Sequence, residues 1–171
     1  MAALTRELER AIALGYERRD RSDMAPTIAY FQELLDQHPD HPVLTYELAG
    51  AFDTAGEEAR ARTLYERALE LGLDGEPLRR CLCQYGSTLR WLGDFDASLA
   101  VLDRAQKTFP QSESVAVFRA LTLNELGRAD EAVGLLLGIV ARHGEVTDLG
   151  RYAAGLGALG QWLLDGRQDD D

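Results

Sequence analysis

The feature that most constrains the fold of this chain is a spacing of 34 residues that recurs along it. Three glycines precede polar helix starts: Gly56 in TAGEEARA, Gly93 in WLGDFDAS and Gly127 in ELGRADEA. Gly93 and Gly127 are 34 positions apart, and Gly56 and Gly93 are 37 apart. Periods of this length are typical of solenoids, in which stacked helix pairs bury a continuous core that no single pair could form. The register divides the chain into repeats at 8–41, 42–75, 79–112 and 113–146, with the three extra residues in the loop LGLDGEPL, where an insertion costs little.

The register also aligns small residues in one column and large residues in another. The small column predicts close helix crossings, at Gly15, Ala49, Gly86 and Ala120. The large column predicts the core behind those crossings, at Phe31, Tyr65, Leu102 and Leu136. Pro39 and Pro110 follow predicted helix ends, because proline disfavours the α conformation of the residue before it.

The pattern predicts nine helices and almost no β-structure, since strand-type alternation does not extend over a useful length. Asp40 with Pro42, Ser112 and Thr147 are expected to mark helix starts. The predicted helices cover about 2–20, 25–37, 41–55, 58–71, 76–92, 95–108, 113–126, 130–142 and 147–164.

The aligned columns resemble the tetratricopeptide repeat. The second repeat matches the family pattern at Leu48, Ala49, Phe52, Ala61, Tyr65 and Ala68. The third repeat matches it at Leu82, Gly86, Leu89, Leu102, Ala105 and Pro110. Four positions depart from the pattern: Tyr85 and Arg119 replace leucine, Arg18 replaces an aromatic residue and Ser98 replaces alanine.

This resemblance implies an all-α, right-handed α-α superhelix of four helix pairs with a capping helix at 147–164. It further implies one solenoid domain over 1–165, followed by a frayed acidic tail at 166–171. Segments such as YERALELGLDGEPLRR are also similar to a bacterial group of small tetratricopeptide proteins, over residues 28–140. That group adds an expectation of a bacterial source but no defined activity.

Composition narrows the range of partners. The net charge of −11 disfavours nucleic acid and anionic membrane surfaces, because both attract clustered cations. The N-terminal segment carries charges where a secretory signal would be apolar, and the longest apolar run, AVGLLLGIVA, is about half of the roughly 20 residues that a membrane span requires. Cys81 and Cys83 would point about 200° apart on a helix, so two buried or half-buried thiols without a disulfide are expected. We expect a cytoplasmic protein.

The first helices of stacked pairs line a concave surface, and solenoids commonly bind peptides there. Projecting the register predicts a peptide-binding groove lined by Tyr16, Arg19, Tyr46, Asp53, Arg80, Cys83, Ser87, Arg90, Val117, Leu121, Asn124 and Arg151. Its arginines either form a locally cationic surface or pair with neighbours such as Glu47, Asp53 and Glu125. The family's carboxylate clamp uses Lys and Asn, which this chain lacks in that arrangement, so the clamp is not carried over.

The sequence gives little support for a catalytic function. Serines and cysteines lack a recognisable base partner, and the glycines are explained by turns and crossings, so neither an enzyme nor a cofactor is expected. His38 and His41 flank Asp40 without a third metal ligand nearby, and together with His143 they are expected to be solvent-exposed. A protein-binding module is therefore the first hypothesis.

The glycine-rich final segment, TDLGRYAAGLGALGQWLLDG, supports two interpretations. Its helix either caps the apolar face of the fourth pair, or it packs against a second copy with Trp162 and Leu163 as anchors. The second hypothesis for function is accordingly a structural homodimer formed through terminal helices.

Overall fold

The computed structural model describes residues 4–143 and 148–165, and its secondary structure in these ranges is helical apart from one isolated bridge between Asp20 and Asp23. The helices are α1 (Arg6–Glu17), α2 (Ala25–Gln37), α3 (Pro42–Thr54), α4 (Glu58–Glu70), α5 (Gly75–Trp91), α6 (Phe95–Thr108), α7 (Glu113–Glu125), α8 (Ala129–His143) and α9 (Ala153–Leu164). A 3₁₀ helix, Asp148–Tyr152, precedes α9. The all-α prediction is confirmed.

The helix boundaries follow the predicted ones closely except at the two ends of the chain. The first helix begins at Arg6 rather than near residue 2, because the side chain of Thr5 accepts a hydrogen bond from the Leu8 N–H and caps the helix. Ser112 caps α7 in the same way through the Val115 N–H. Asp40 does not cap α3: His41 is the residue before the helix, and Asp40 adopts a left-handed conformation with φ 58°. The predicted cap Thr147 lies outside the described residues.

The chain divides into two compact units, α1–α5 up to Asp94 and α6–α9 from Phe95. In the first unit the fully buried side chains include Leu44, Leu48, Tyr65, Leu82 and Leu89. In the second unit Ala120, Leu123 and Ala132 form a core against which Leu99 and Leu135 pack. The division of the chain into a single solenoid domain with a separate tail stays a prediction.

The small column lies at buried positions, as predicted. Ala49 and Ala120 are buried, and so is Gly86 on α5. Gly15 shows the closest approach: a Cβ added there would lie 2.7 Å from Cζ of Phe31, so any larger residue would push α1 away from α2. The crossing between these two helices therefore depends on the absence of a side chain at Gly15.

The residues of the large column are buried in the first three repeats, but the residue of the fourth repeat is exposed. Phe31, Tyr65 and Leu102 are buried, but Leu136 is 40% exposed, so its assignment to the core is wrong. The reason is that α8 turns its glycine face toward α9. Leu136 remains on the open face of α8 with Val133 and Val140, at helical spacings of three and four residues.

Three of the four departures from the family pattern have hydrogen-bond partners. Ser98 and Thr122 share a buried hydroxyl–hydroxyl hydrogen bond of 2.9 Å. The hydroxyl of Tyr85 donates to Glu66 across 2.7 Å. Arg119 forms an ion pair with Asp103, with Nε 2.7 Å from the carboxylate oxygen. These pairs connect α4 to α5 and α6 to α7, so the unusual residues hold neighbouring helices together.

The three aligned glycines, Gly56, Gly93 and Gly127, end the first helix of a pair with the same turn. Each has φ between 75° and 78°, a left-handed conformation that favours glycine. At each site the glycine N–H donates to the carbonyl three residues back, and the next N–H donates to the carbonyl five residues back. This is the double hydrogen bond of a Schellman motif, which satisfies the last carbonyls of the helix.

The last helix packs on α8 within the second unit through glycine backbone. A Cβ added at Gly134 would lie 2.7 Å from the Gly160 carbonyl oxygen, and one added at Gly160 would lie 2.9 Å from the Gly134 oxygen. Leu163 is buried, whereas Trp162 is largely exposed. The inner face of α9 therefore covers α8. Leu163 is part of this contact and is not available to anchor a second copy.

Candidate partner-binding surface

On the inner side of the first unit, Tyr16 and Glu47 connect α1 to α3. The hydroxyl of Tyr16 donates to Oε2 of Glu47. The Tyr16 ring packs edge-on against Phe31, with a centroid distance of 6.2 Å. The guanidinium of Arg19 lies 5.2 Å from the centroid of the Tyr16 ring, within cation–π range. Tyr16 thus combines an exposed side chain with a hydroxyl that Glu47 holds in place.

Glu47 is a buried carboxyl next to this surface. The repeat register suggested it only as a possible ion-pair partner for an arginine. Glu47 is 7% exposed. Burial raises the pKa of its carboxyl to about 7, although the Tyr16 hydrogen bond and the charges of Arg80 and Arg19 pull the pKa downward. Sequence periodicity alone could not reveal this effect, because it depends on how closely α1 covers α3.

Asp53 stabilises the packing of three helices in the first unit. Its carboxylate accepts hydrogen bonds from the Thr88 hydroxyl at 2.8 Å and from the Tyr65 hydroxyl at 3.3 Å. Burial raises the pKa of Asp53, and both hydrogen bonds oppose that effect. The residue thereby ties α3 to α4 and α5, so its polar atoms are used within the fold.

The predicted groove arginines of α5 differ in burial, since Arg80 is exposed and Arg90 is half-buried. Arg80 is exposed, and its Nε lies 3.1 Å from Glu76 on the same helix. The guanidinium of Arg90 lies 5.1 Å from the ring centroid of Trp91, a side chain that is itself largely exposed. The acid beside Arg80 is therefore Glu76, a residue that the sequence analysis did not consider.

Two of the predicted groove residues, Tyr46 and Cys83, lie in the interior with exposed fractions of 3% and 4%. The Tyr46 ring and the Cys83 thiol therefore contribute to packing. The ring centroids of Tyr46 and Tyr65 lie 6.3 Å apart. Ser87 is half-buried between the arginines of α5. Cys81 and Cys83 are both buried and form no disulfide.

The remaining predicted groove residues belong to the second unit. Val117 is half-buried on α7, and Leu121 and Asn124 are exposed on the same helix. Arg151 lies in the 3₁₀ helix, where its guanidinium is 5.2 Å from the centroid of the Tyr152 ring. That these residues form one groove with those of the first unit stays a prediction.

The histidines differ from the expectation of three exposed side chains. His38 and His143 are exposed, and His143 Nε2 lies 2.7 Å from Glu113. His41 is buried, and neither of its ring nitrogens has a hydrogen-bond partner among the described residues. Burial lowers the pKa of His41. Within residues 4–143 and 148–165, no group of three His, Cys, Asp or Glu side chains is placed to hold a metal ion.

The stacked pairs, their shared glycine turns and the polar inner face of α1, α3 and α5 define a helical-repeat scaffold for protein interaction. A family model described as Tetratrico peptide repeat matches residues 42–158. The chain belongs to the tetratricopeptide repeat family, whose fold is a non-catalytic interaction scaffold. No curated protein matches the chain.

Two solved structures share the fold over nearly the whole chain. One is a MamA RS-1 double mutant, with 15% identity and a TM-score of 0.65, covering 99% of this chain and 100% of that one. The other is MamA from residue 41 to its end, from Desulfovibrio magneticus RS-1, with 16% identity and a TM-score of 0.64, covering 98% and 100%. No helix among the described residues has the length and apolarity to cross a bilayer.

Proposed function

We propose that the protein is a cytoplasmic, non-enzymatic adaptor that binds an acidic, partly apolar segment of a partner protein on the inner face of α1, α3 and α5. The observation that carries this proposal is that Arg80 and Tyr16 are both exposed and that, although burial raises the pKa of the Tyr16 hydroxyl, the charge of Arg80 acts on this hydroxyl and lowers its pKa. Arg19 and Arg90 extend the cationic character along the same face. In a chain of net charge −11, a local group of guanidinium ions favours carboxylates, which arginine binds through paired hydrogen bonds.

The length of α5 sets the spacing of the partner's acidic groups. Arg80 and Arg90 are ten positions apart on one helix, which corresponds to about 15 Å along its axis. An extended or helical peptide with acidic residues at that separation and apolar residues between them would contact both guanidinium ions. Tyr16 would then pack against the apolar residues.

Replacing Arg80 and Arg90 together by glutamate is expected to abolish binding of such a peptide while preserving helicity and melting temperature. A fluorescent peptide of alternating glutamate and leucine provides the probe, and fluorescence anisotropy measures its binding. A peptide of lysine and leucine should bind weakly or not at all. Capture of a partner from cell lysate is a second experiment. The fluorescent peptide should be measured alongside it, so that binding of the captured protein is compared with binding of a defined ligand.

The matched control is Arg60→Glu with Arg67→Glu on α4, which makes the same change in charge on exposed arginines of the same unit. These arginines form surface ion pairs with Glu57, Asp40 and Glu70. The control should bind the peptide like the unmodified protein at matched ionic strength. Equal loss of binding in both double variants would mean that net charge, not the inner face, determines binding.

A second candidate function is self-association through the outer face of α9. Tyr152, Leu159 and Trp162 are 56%, 46% and 44% exposed and recur at helical spacing along that face. Ala153–Leu164 contains no charged residue. Because terminal repeats need a polar outer face for solubility, an uncharged one favours coverage by a second copy. Light scattering over a concentration range should then show a doubled mass, which Leu159→Glu with Trp162→Glu should return to that of one chain.

A further inference from the structure

The second unit contains a cavity of about 400 Å³ that is separate from the predicted groove residues. It is bounded by the end of α6, the turn into α7, and helices α8 and α9. Its volume lies within the range of about 300–1,000 Å³ that is usual for small-ligand sites. It is large enough for a terminal fragment of a chain and too small for a folded segment.

Glycines on α8 and α9 keep this cavity open. Gly138 and Gly157 both line it. A Cβ added at Gly138 would have Nη1 of Arg142 as its nearest neighbour at 3.6 Å, and one added at Gly157 would have Cβ of Ala141 at 3.5 Å. These are ordinary van der Waals distances, so the missing side chains leave real space rather than a tight helix contact.

Two guanidinium ions line the cavity. Nε of Arg119 lies 2.7 Å from Asp103, and Nε of Arg142 lies 3.2 Å from Glu113. An arginine has five N–H donors, and the described residues give the terminal Nη groups of these two arginines no hydrogen bond. Hydrogen bonds from His143 and Arg142 lower the pKa of Glu113, so its negative charge is already paired. The cavity therefore has cationic donors available for an anion.

Gln106 lines one wall of the cavity. Its Nε2 donates to the Pro110 carbonyl at 3.0 Å, which determines the orientation of the amide. Its Oε1 is buried and has no hydrogen-bond partner among the described residues. Because this oxygen is closed off from solvent, a ligand in the cavity does not contact it. Leu135, Leu164 and Ala116 supply apolar walls.

We propose that this cavity binds a small carboxylate that carries an aliphatic side chain, such as the carboxyl-terminal unit of an amino acid. The carboxylate oxygens accept hydrogen bonds from the Nη groups of Arg119 and Arg142, and the aliphatic side chain packs against Leu135 and Leu164. Such a unit has two sources, the C-terminal residue of a protein and a free amino acid. The proposal does not depend on the groove of the first unit.

Titration of the full chain with three small probes, followed by NMR chemical shifts, tests the carboxylate and its source. N-acetyl-L-leucine should bind, and its C-terminal amide should bind at least about tenfold more weakly, because the charged hydrogen bonds are lost. If L-leucine binds more weakly than N-acetyl-L-leucine, the site recognises a protein C-terminus. If L-leucine binds as well or better, the site recognises the free amino acid. Equal binding of the acid and the amide, or no binding of any probe at millimolar concentration, overturns the proposal.

Variants test the assigned residues. Arg142→Gln should weaken binding of N-acetyl-L-leucine about tenfold or more, because a charged hydrogen bond is lost. The control is Arg128→Gln, since Arg128 is exposed, pairs with Glu131 at 2.6 Å and does not line the cavity. Thermal melting establishes that each variant is folded. Unchanged affinity in a folded Arg142→Gln variant would remove Arg142 from the site and overturn the assignment.

Discussion

Glu47 shows how a single buried carboxyl makes the stability of the first unit depend on pH. Its folded-state pKa of about 7 lies above the ordinary value of 4.5 because of burial. Between these values the folded chain binds a proton that the unfolded chain has released. The stability that Glu47 contributes is therefore fully present below about pH 4.5 and is lost as the pH rises through about 7.

We expect Glu47→Gln to stabilise the protein at high pH and to have little effect at low pH. Glutamine keeps an acceptor for the Tyr16 hydroxyl but cannot ionise. A rise in pKa from 4.5 to about 7 corresponds to at most about 3 kcal/mol above pH 7. Urea unfolding at several pH values measures the difference between the variant and the unmodified protein. That difference removes the contribution of Asp53, whose raised pKa acts in the same direction.

Tyr16→Phe provides the control for the sign of this effect. The Tyr16 hydrogen bond lowers the pKa of Glu47, so its removal should move the pH-dependent loss of stability to higher pH. Parallel stability profiles for the unmodified protein and Glu47→Gln would contradict the assignment of Glu47 as the titrating group.

Residue-level prediction from the sequence succeeded where one helix face determines the outcome. The repeat register placed Ala49, Phe31 and Tyr65 in the buried columns where the structure has them. It did not anticipate that Tyr46 is covered, because the exposure of an inward-facing residue depends on how closely the next helix packs. The burial of His41 had the same origin: its sequence neighbours are polar, but α3 begins at the following residue and carries it into the interior.

At the scale of the helix, glycines in the same segment have opposite roles. Gly160 contacts backbone, since a Cβ there would lie 2.9 Å from the Gly134 carbonyl oxygen and 3.2 Å from Cβ of Leu137. A Cβ at Gly155 would have no heavy atom within 4 Å. The sequence shows three glycines in α9 without indicating which face each occupies, so it could not separate capping from dimer contact.

We expect Gly160→Ala to lower the free energy of unfolding by about 1–3 kcal/mol, because α9 must move away from α8. Gly155→Ala should raise it by about 0.5–1 kcal/mol, because alanine is the better helix former and has room there. Chemical denaturation of the two single variants measures both effects. Equal effects of the same sign would mean that helix propensity, not the contact with Gly134, determines the role of Gly160.

At the scale of the molecule, the net charge of −11 separates the two candidate functions by their response to salt. Binding of an acidic peptide to Arg80 and Arg90 relies on exposed charges, so added salt should weaken it. Association through the uncharged face of α9 opposes two chains of like charge, so added salt should strengthen it. Measuring peptide anisotropy and light scattering in the same salt series therefore tests each function independently.

The family and the all-α fold could be predicted from the sequence because a repeat samples the same pattern several times. The surface could be predicted only in part. Projection onto helix faces identified Tyr16, Arg80 and Leu121, but the cavity beside Gln106 arises from four helices of the second unit and has no repeat signature. Features that a single helix pair determines can be predicted from the sequence. Features that several helices form together cannot.

The identical turns at Gly56, Gly93 and Gly127 have a consequence for how such a chain changes length during evolution. Because three of the four pairs have the same turn, a duplicated segment of one repeat length would bring its own working turn. Insertions of other lengths would interrupt the helices, unless they fell in a loop such as the one around Gly72. Longer and shorter descendants of this chain should thus differ by about 34 residues per repeat, with additional residues confined to such loops.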